Sequence, residues 1–250
     1  MQTGAQDAVS NMALDEAMLV TAADTGDTLV RLYRWDRPSL SLGRNQHCAG
    51  IYAPERCAAL GVPVVRRLTG GRALLHAREV TYAVAAPTSA AASLRGGYEA
   101  INDVLLTALR SLGVAAERAS PTERTTAPAL APCFETPAAG ELVVGGRKIV
   151  GSAQHRDARA FLQHGSILLD DDQALLHQLA LVPLPVVPTP ATLRSFLPDI
   201  QTTHVEDAIV TALRGAVTGD IVEASLADLP PLYVAAAASR YRDIHWTWRR

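Results

Sequence analysis

One side chain stands apart by its type. The sequence holds 23 basic residues; 22 are arginine and one, Lys148, is lysine. Arginine keeps its proton at any workable pH and spreads its charge over a planar fork, whereas lysine is a compact ammonium whose pKa moves readily on burial. A single lysine in an arginine-only chain either does chemistry that arginine cannot do or has simply been retained on a solvated turn. Its neighbours favour the first. Two apolar runs flank Gly145-Gly146, the pattern of a two-residue hairpin whose glycines supply positive φ. In that register Val144 faces Arg147 and Val143 faces Lys148, so the lysine is expected to share an apolar strand face with Val143 and Val150. Gly151-Ser152-Ala153 follow, all small, leaving room for a ligand or another backbone. A lysine so placed reads as a pocket wall.

Cys133, in the loop upstream, is the second candidate. A thiol near an ammonium has a lowered pKa, and the thiolate is the nucleophile. A free cysteine otherwise behaves as a small hydrophobe, and spacing alone does not say that the two side chains meet. A further block, Arg66-Arg67-Leu68-Thr69-Gly70-Gly71-Arg72 through His76, reads as a strand end, a paired-glycine turn and another strand. Paired glycines let backbone N–H groups face a ligand without obstruction.

Taken together, the Thr69-Gly70-Gly71 block and the run Gly146-Arg147-Lys148-Ile149-Val150-Gly151-Ser152-Ala153-Gln154 resemble the biotin/lipoate protein ligase superfamily. The chain is most similar to its octanoyltransferase branch, which looks like lipoate ligase but uses a cysteine. The resemblance begins at Asn11-Met12-Ala13-Leu14-Asp15-Glu16, includes Gly43-Arg44-Asn45-Gln46 and Gln163-His164-Gly165-Ser166, and ends at Trp246-Thr247-Trp248-Arg249-Arg250. It implies that Cys133 carries an acyl thioester and that Lys148 lowers its pKa and holds the acyl carbonyl. The implied substrate-binding set is Arg66, Thr69, Gly70, Gly71, His76, Gly151, Ser152, Gln154 and His164, with His76 and His164 either proton shuttles or structural histidines. The implied donor is octanoyl-acyl carrier protein, the group arriving on phosphopantetheine with no ATP and no bound cofactor. The implied acceptor is a lipoyl-domain lysine, of the glycine-cleavage H protein or the E2 component of a 2-oxoacid dehydrogenase. Lipoate ligases resemble this chain around Lys148 but lack the cysteine and often carry an accessory domain, for which no sequence is expected here. Three rival readings follow: an ATP-dependent ligase, an amidotransferase between lipoyl domains, and a lipoyl-domain-binding regulator without chemistry.

Composition sets wider bounds. At 250 residues, 48% hydrophobic and 19% charged, the chain has ample apolar content for a core. A net charge of −2 offers no general basic surface to nucleic acid. There is no apolar run of membrane-spanning length, and Met1 to Ser10 lacks the pattern of a signal peptide. Three cysteines, Cys48, Cys57 and Cys133, make no even disulfide framework, which fits a reducing cytoplasm. His47-Cys48 has no second ligand pair at zinc spacing, so no metal site is expected. A monomer is expected.

The elements that must position these residues are legible in outline. Helices are expected over Asn11 to Ala23, Pro54 to Leu60 and Tyr98 to Leu112, with glycines past each end. Strands are expected over Leu29 to Trp35, Leu40 to Leu42, Val62 to Arg66, Val80 to Ala85 and Ala160 to Leu169. Asp170-Asp171-Asp172 reads as a helix start, and Thr203-His204-Val205-Glu206 as a capping box. Ala119 to Gly140 is a long loop of the kind that is usually functional or mobile. Irregularly interspersed helices and short links imply an α+β fold with a mixed, largely antiparallel sheet and helices packed around it. The whole of 1–250 is expected to form one ligase-like catalytic unit, with 196–250 a mainly helical C-terminal extension.

Overall fold

The computed structural model of the chain describes residues 1–91, 93–120, 140–185 and 188–249. Strand β1 (Gln2–Gln6) leads into helix α1 (Ala8–Thr25), then β2 (Leu29–Trp35), β3 (Ser39–Leu42), α2 (Pro54–Ala59), β4 (Val64–Arg66), β5 (Leu74–His76) and β6 (Glu79–Pro87). Helix α3 (Leu94–Ser111) and β7 (Glu117–Arg118) precede the hairpin β8 (Leu142–Val144) and β9 (Arg147–Lys148). Strands β10 (Val150–Arg156) and β11 (Ala160–Leu168) follow, then α4 (Leu175–Leu179), α5 (Thr202–Ala216), α6 (Pro231–Arg242) and α7 (Ile244–Thr247).

The main sheet runs β1-β2-β6-β11-β10, antiparallel except for the parallel β1–β2 pair. Side-chain alternation divides its two faces. On one, Tyr33, Trp35, Ala83, Ala85, Ala160 and Leu162 pack against α1, with α6 behind it. The three alanines let α1 lie close to the strands. On the other face, Leu32, Val80, Tyr82 and Ile167 meet α3 and α5 through Leu105, Leu109, Val205 and Ile209. The mixed sheet β4-β3-β5 flanks this sandwich, and the hairpin sheet β7-β8-β9 extends it.

Helix α1 starts where Asp7 accepts the Ser10 N–H and stops at Gly26, whose φ of +80° suits a residue without Cβ. The hairpin has the expected register, Val143 opposite Lys148 and Val144 opposite Arg147. The alternation does not extend to Val150. At Ile149 the chain leaves the hairpin for the main sheet, and Ile149 and Val150 both enter the α3–α5 core.

Two helix-start expectations are corrected. Asp170 and Asp172 do not cap α4, whose N-cap is Ala174; they bind Arg78, and Asp170 also binds Arg194. The capping box of α5 is Gln201 with His204, and Glu206 turns inward beside Arg34. In each case the acid meets an arginine from a distant segment of the chain.

Candidate active site

The sheet face under α1 carries two buried polar chains side by side. In the first, Arg31 donates from Nη1 to Asp15 Oδ1 at 3.0 Å and from Nη2 to Asn11 Oδ1 at 2.7 Å. Asp15 Oδ2 accepts from the Tyr33 hydroxyl and from His164 Nδ1, both at 2.8 Å. His164 Nε2 lies 2.7 Å from Thr69 Oγ1. The chain thus runs from Arg31 through a carboxylate and an imidazole to the Thr69-Gly70-Gly71 turn.

In the second chain Glu79 Oε1 lies 2.7 Å from His76 Nδ1 and accepts from Thr81 and Ser166. His76 Nε2 lies 2.7 Å from Ser41 Oγ, which itself accepts from Arg67 Nη1 at 2.9 Å. Trp35 stacks on the His76 ring with centroids 3.9 Å apart. Burial pushes the His76 imidazole below its ordinary range, outweighing the attraction of Glu79. The neutral ring then donates from Nδ1 to Glu79 and accepts the Ser41 proton at Nε2. The unfolded chain takes up that proton near pH 6.5 and the folded one only at lower pH, so the unfolded state binds more protons in between. Stability is therefore expected to fall as pH drops below about 6.5, by at most about 1.4 kcal/mol per pH unit from this group. Denaturation midpoints at pH 7.5 and 5.5 check it: His76→Gln should show a shallower acid slope, and an equal slope would place the dependence elsewhere.

Between these chains lies a narrow cleft lined by Met12, Tyr33, Leu74, Arg67 and, on the sheet side, Gly151, Ser152 and Ala153. The paired-glycine turn adjoins it, tied to two of its lining residues, Thr69 to His164 and Gly70 to Arg67. A Cβ on Gly43 would stand 1.9 Å from the Gly71 carbonyl oxygen, and Gly71 has φ of +92°. The two backbones can meet only because both residues are glycine. Arg67 fixes the turn by donating to the carbonyls of Gly70 and Arg72.

His76, Gly151, Ser152 and His164 line this cleft, and Thr69, Gly70 and Gly71 are tied to it. Gln154 reaches Gln163 Oε1 at 2.9 Å on the other sheet face, and Ser152 Oγ meets the Tyr82 hydroxyl there at 2.7 Å. Arg66 is fully buried. Its guanidinium donates to the carbonyls of Gly43, Gln46 and Thr247 and to Cys48 Sγ. It acts as a strut between the β3 end and the C-terminal segment, and Arg67 is the arginine at the cleft.

Lys148 is buried, and its Nζ donates to Glu141 Oε1 at 2.8 Å. It does not line the cleft. Its neighbourhood is the α3 side of the sheet, where Tyr98 feels both Glu141 and Lys148, although burial is the main cause of that phenol's raised pKa. Cys133 lies outside the described residues. Asp15, Ser41, Arg67, Glu79 and Glu141 are the site residues that sequence reasoning missed. Asp15 carried one signal: it stands at helical spacing from Met12, Met18 and Leu19, on the apolar face of the helix, and a buried acid needs partners. Among the described residues no cluster of histidine, cysteine and acids could hold a metal ion, and no helix is long and apolar enough to cross a membrane.

The α+β sandwich with its buried cleft is the fold of a lipoyl protein ligase catalytic domain. The profile of the lipoyl protein ligase A/B catalytic domain matches residues 7–214, and the chain belongs to that family. It is 44% identical over 185 residues to the octanoyltransferase LipM of Kyrpidia tusciae, covering 70% of this chain and 67% of the relative. It is 42% identical over 166 residues to the octanoyltransferase LipM of Carboxydothermus hydrogenoformans, covering 65% of this chain and 61% of that relative. The matched part thus spans under two thirds to about two thirds of these relatives' lengths. Among solved structures, lipoate-protein ligase A bound with ATP superposes with a TM-score of 0.81 over 99% of this chain and 96% of that one, at 20% identity. That likeness establishes the fold.

Proposed function

We propose that this chain is an octanoyltransferase of lipoate biosynthesis, moving an octanoyl group from acyl carrier protein through a thioester on Cys133 to a lipoyl-domain lysine. The observation that carries the proposal is the 44% identity to a curated octanoyltransferase over 185 residues, a stretch of similarity far above that to the ligases. The buried Lys148 on its hairpin supports it.

The chemistry takes two displacements. The Cys133 thiolate attacks the octanoyl carbonyl; the new C–S bond forms as the carrier's C–S bond breaks, and the carrier leaves as a thiol after taking a proton. The deprotonated acceptor amine then attacks the enzyme thioester. A C–N bond replaces the C–S bond, the amine proton is released, and the Cys133 thiolate returns. Each step passes through an oxyanion, which a fixed ammonium stabilises. Lys148 supplies that ammonium, and Glu141 holds it in place. The cleft beside the Thr69-Gly70-Gly71 turn receives the far end of the acyl chain, and the reacting carbonyl lies outside it, at the Lys148 hairpin. The thioester bond supplies the driving force, so the reaction runs without ATP. The unit acts in the cytoplasm as a monomer, with the H protein or an E2 lipoyl domain as acceptor.

Intact-mass measurement tests this. With octanoyl carrier protein and no ATP, the chain should gain one octanoyl group, and Cys133→Ala should gain none. Cys57→Ala should behave as the parent: burial raises the Cys57 thiol to about 11, so almost no thiolate forms there at pH 7.5. Normal turnover by Cys133→Ala, or pyrophosphate release from free octanoate and ATP, would overturn the assignment.

A further inference from the structure

A guanidinium beside the cleft has no task in the chemistry above. Arg44 follows β3, and its backbone is locked to the paired-glycine turn. Its N–H donates to the Thr69 carbonyl at 2.8 Å, and Gly43 before it packs on the Gly71 carbonyl. Its half-exposed side chain crosses to β10, where Nη1 donates to His155 Nδ1 at 3.1 Å. On β10, His155 shares a strand face with Ala153 and Gly151, which line the cleft, so the pair stands at the cleft's mouth. Among the described residues Arg44 has no carboxylate within ion-pair distance, whereas most other arginines of the chain are paired or spent on carbonyls. A second guanidinium, that of Arg249, donates to the Arg44 carbonyl at 2.7 Å. Asp157, whose charge reaches His155, has a carboxylate that already accepts the N–H groups of Arg159 and Ala160.

We propose that Arg44 and His155 form an anion site at the cleft mouth, which binds the phosphate of the donor's pantetheine arm while the octanoyl chain enters the cleft. The inference rests on the transferase reading and names the feature of the donor that this enzyme holds. The geometry suits a phosphate oxygen. Arg44 keeps a charged, planar set of N–H donors after giving one to His155, and such a fork matches phosphate oxygens. Because His155 Nδ1 accepts from arginine, the ring proton sits on Nε2, a second donor at the pair. Burial and the charge of Arg44 hold His155 below its ordinary range, so the ring stays neutral at pH 7 and keeps this arrangement.

The test compares two small donors, octanoyl-phosphopantetheine and octanoyl-pantetheine, which differ only in the phosphate. Acylation of the full chain is followed by intact mass, and kcat/KM is taken for each. The parent should prefer the phosphorylated donor by about tenfold or more, the size of a charge-assisted contact. In Arg44→Gln the ratio should fall towards one, and His155→Phe should lower it in part. General damage to the fold would slow both donors together and leave the ratio intact, so an unchanged ratio in Arg44→Gln overturns the site. A parent ratio near one does the same. If ATP displaces the phosphorylated donor from the parent more strongly than free phosphopantetheine does, the site belongs to a nucleotide and the assignment fails. If neither donor acylates the parent while octanoyl carrier protein does, the small-arm site is wrong but the transferase stands. If no thioester acylates it, the transferase reading itself falls and takes the site with it.

Discussion

Lys148→Arg is expected to transfer octanoyl no better than Lys148→Ala, each at least about a hundredfold below the parent, the loss seen when an oxyanion donor is removed. The charge is the same in arginine, so the prediction turns on shape. Lys148 is 5% exposed, directly opposite Val143 on the hairpin, and its Nζ meets Glu141 at 2.8 Å. A guanidinium is broader and planar, and its bonds leave in a fixed fork. Pointed at Glu141 it can form a bidentate pair with the carboxylate, which directs its donors there and away from a reacting carbonyl. Elsewhere the sequence uses arginine for every other cation, including the buried Arg31, Arg66 and Arg67. Thiol absorbance against pH separates the roles: the Cys133 titration, taken with Cys133→Ala as blank, should move up towards about 8.5 in Lys148→Ala. Near-normal transfer by Lys148→Arg, with folding intact by its denaturation midpoint, would end the idea that a point charge is required.

That lysine was visible in the sequence because it was unique; the residue that holds it was not. Glu141 opens the hairpin one position before β8, and nothing local distinguishes it from a solvated glutamate. The same contrast runs through the fold. Strand β2 has the bounds its apolar and β-branched residues imply, and the Gly145-Gly146 turn fixes the β8–β9 register, since both depend on neighbours in sequence. Strand β1 escaped notice. Its Gln-Thr-Gly-Ala-Gln composition has little strand propensity, and its order comes from parallel pairing with β2. The acids at 170–172 and Glu206 misled for the opposite reason: acids near a helix start are a sound local cue, but Arg78, Arg194 and Arg34 come from distant segments. The site divides in the same way. The glycine turn and the small residues after Lys148 announce a close approach, and Glu79 behind His76 is only three positions along the chain, while the carboxylate behind His164 belongs to tertiary structure. Asp15 and His164 are 149 positions apart in the chain.

Asp15→Ala is expected to destabilise the protein by about 3–5 kcal/mol, the cost of leaving one partner of a buried ion pair uncompensated. Arg31 and Asp15 are both buried, at 0% and 1% exposed, and Arg31 has no route to solvent. Its other bonds go to neutral oxygens of Asn11 and Thr3. Removing the carboxylate also strips an acceptor from the Tyr33 hydroxyl and from His164 Nδ1. Against a typical domain stability of 5–15 kcal/mol this is a large fraction. Asp15→Asn keeps the shape but turns an N–H group towards one of the donors, so it should also lose stability. The contrast is Glu99→Ala, which breaks an exposed i,i+4 pair with Arg95 and should stay within about 0.5 kcal/mol. Urea denaturation of the four proteins orders them. Because the penalty comes from the orphaned guanidinium, replacing both partners, as in Asp15→Leu with Arg31→Met, should be milder than Asp15→Ala alone. A double variant as unstable as the sum of its single changes would show that the pair is not coupled. Loss of less than about 1 kcal/mol in Asp15→Ala would show that Arg31 is held by its neutral partners instead. In either case His164 would have lost its anchor, and the Thr69-Gly70-Gly71 turn would be held by Arg67 and the Gly43 contact alone.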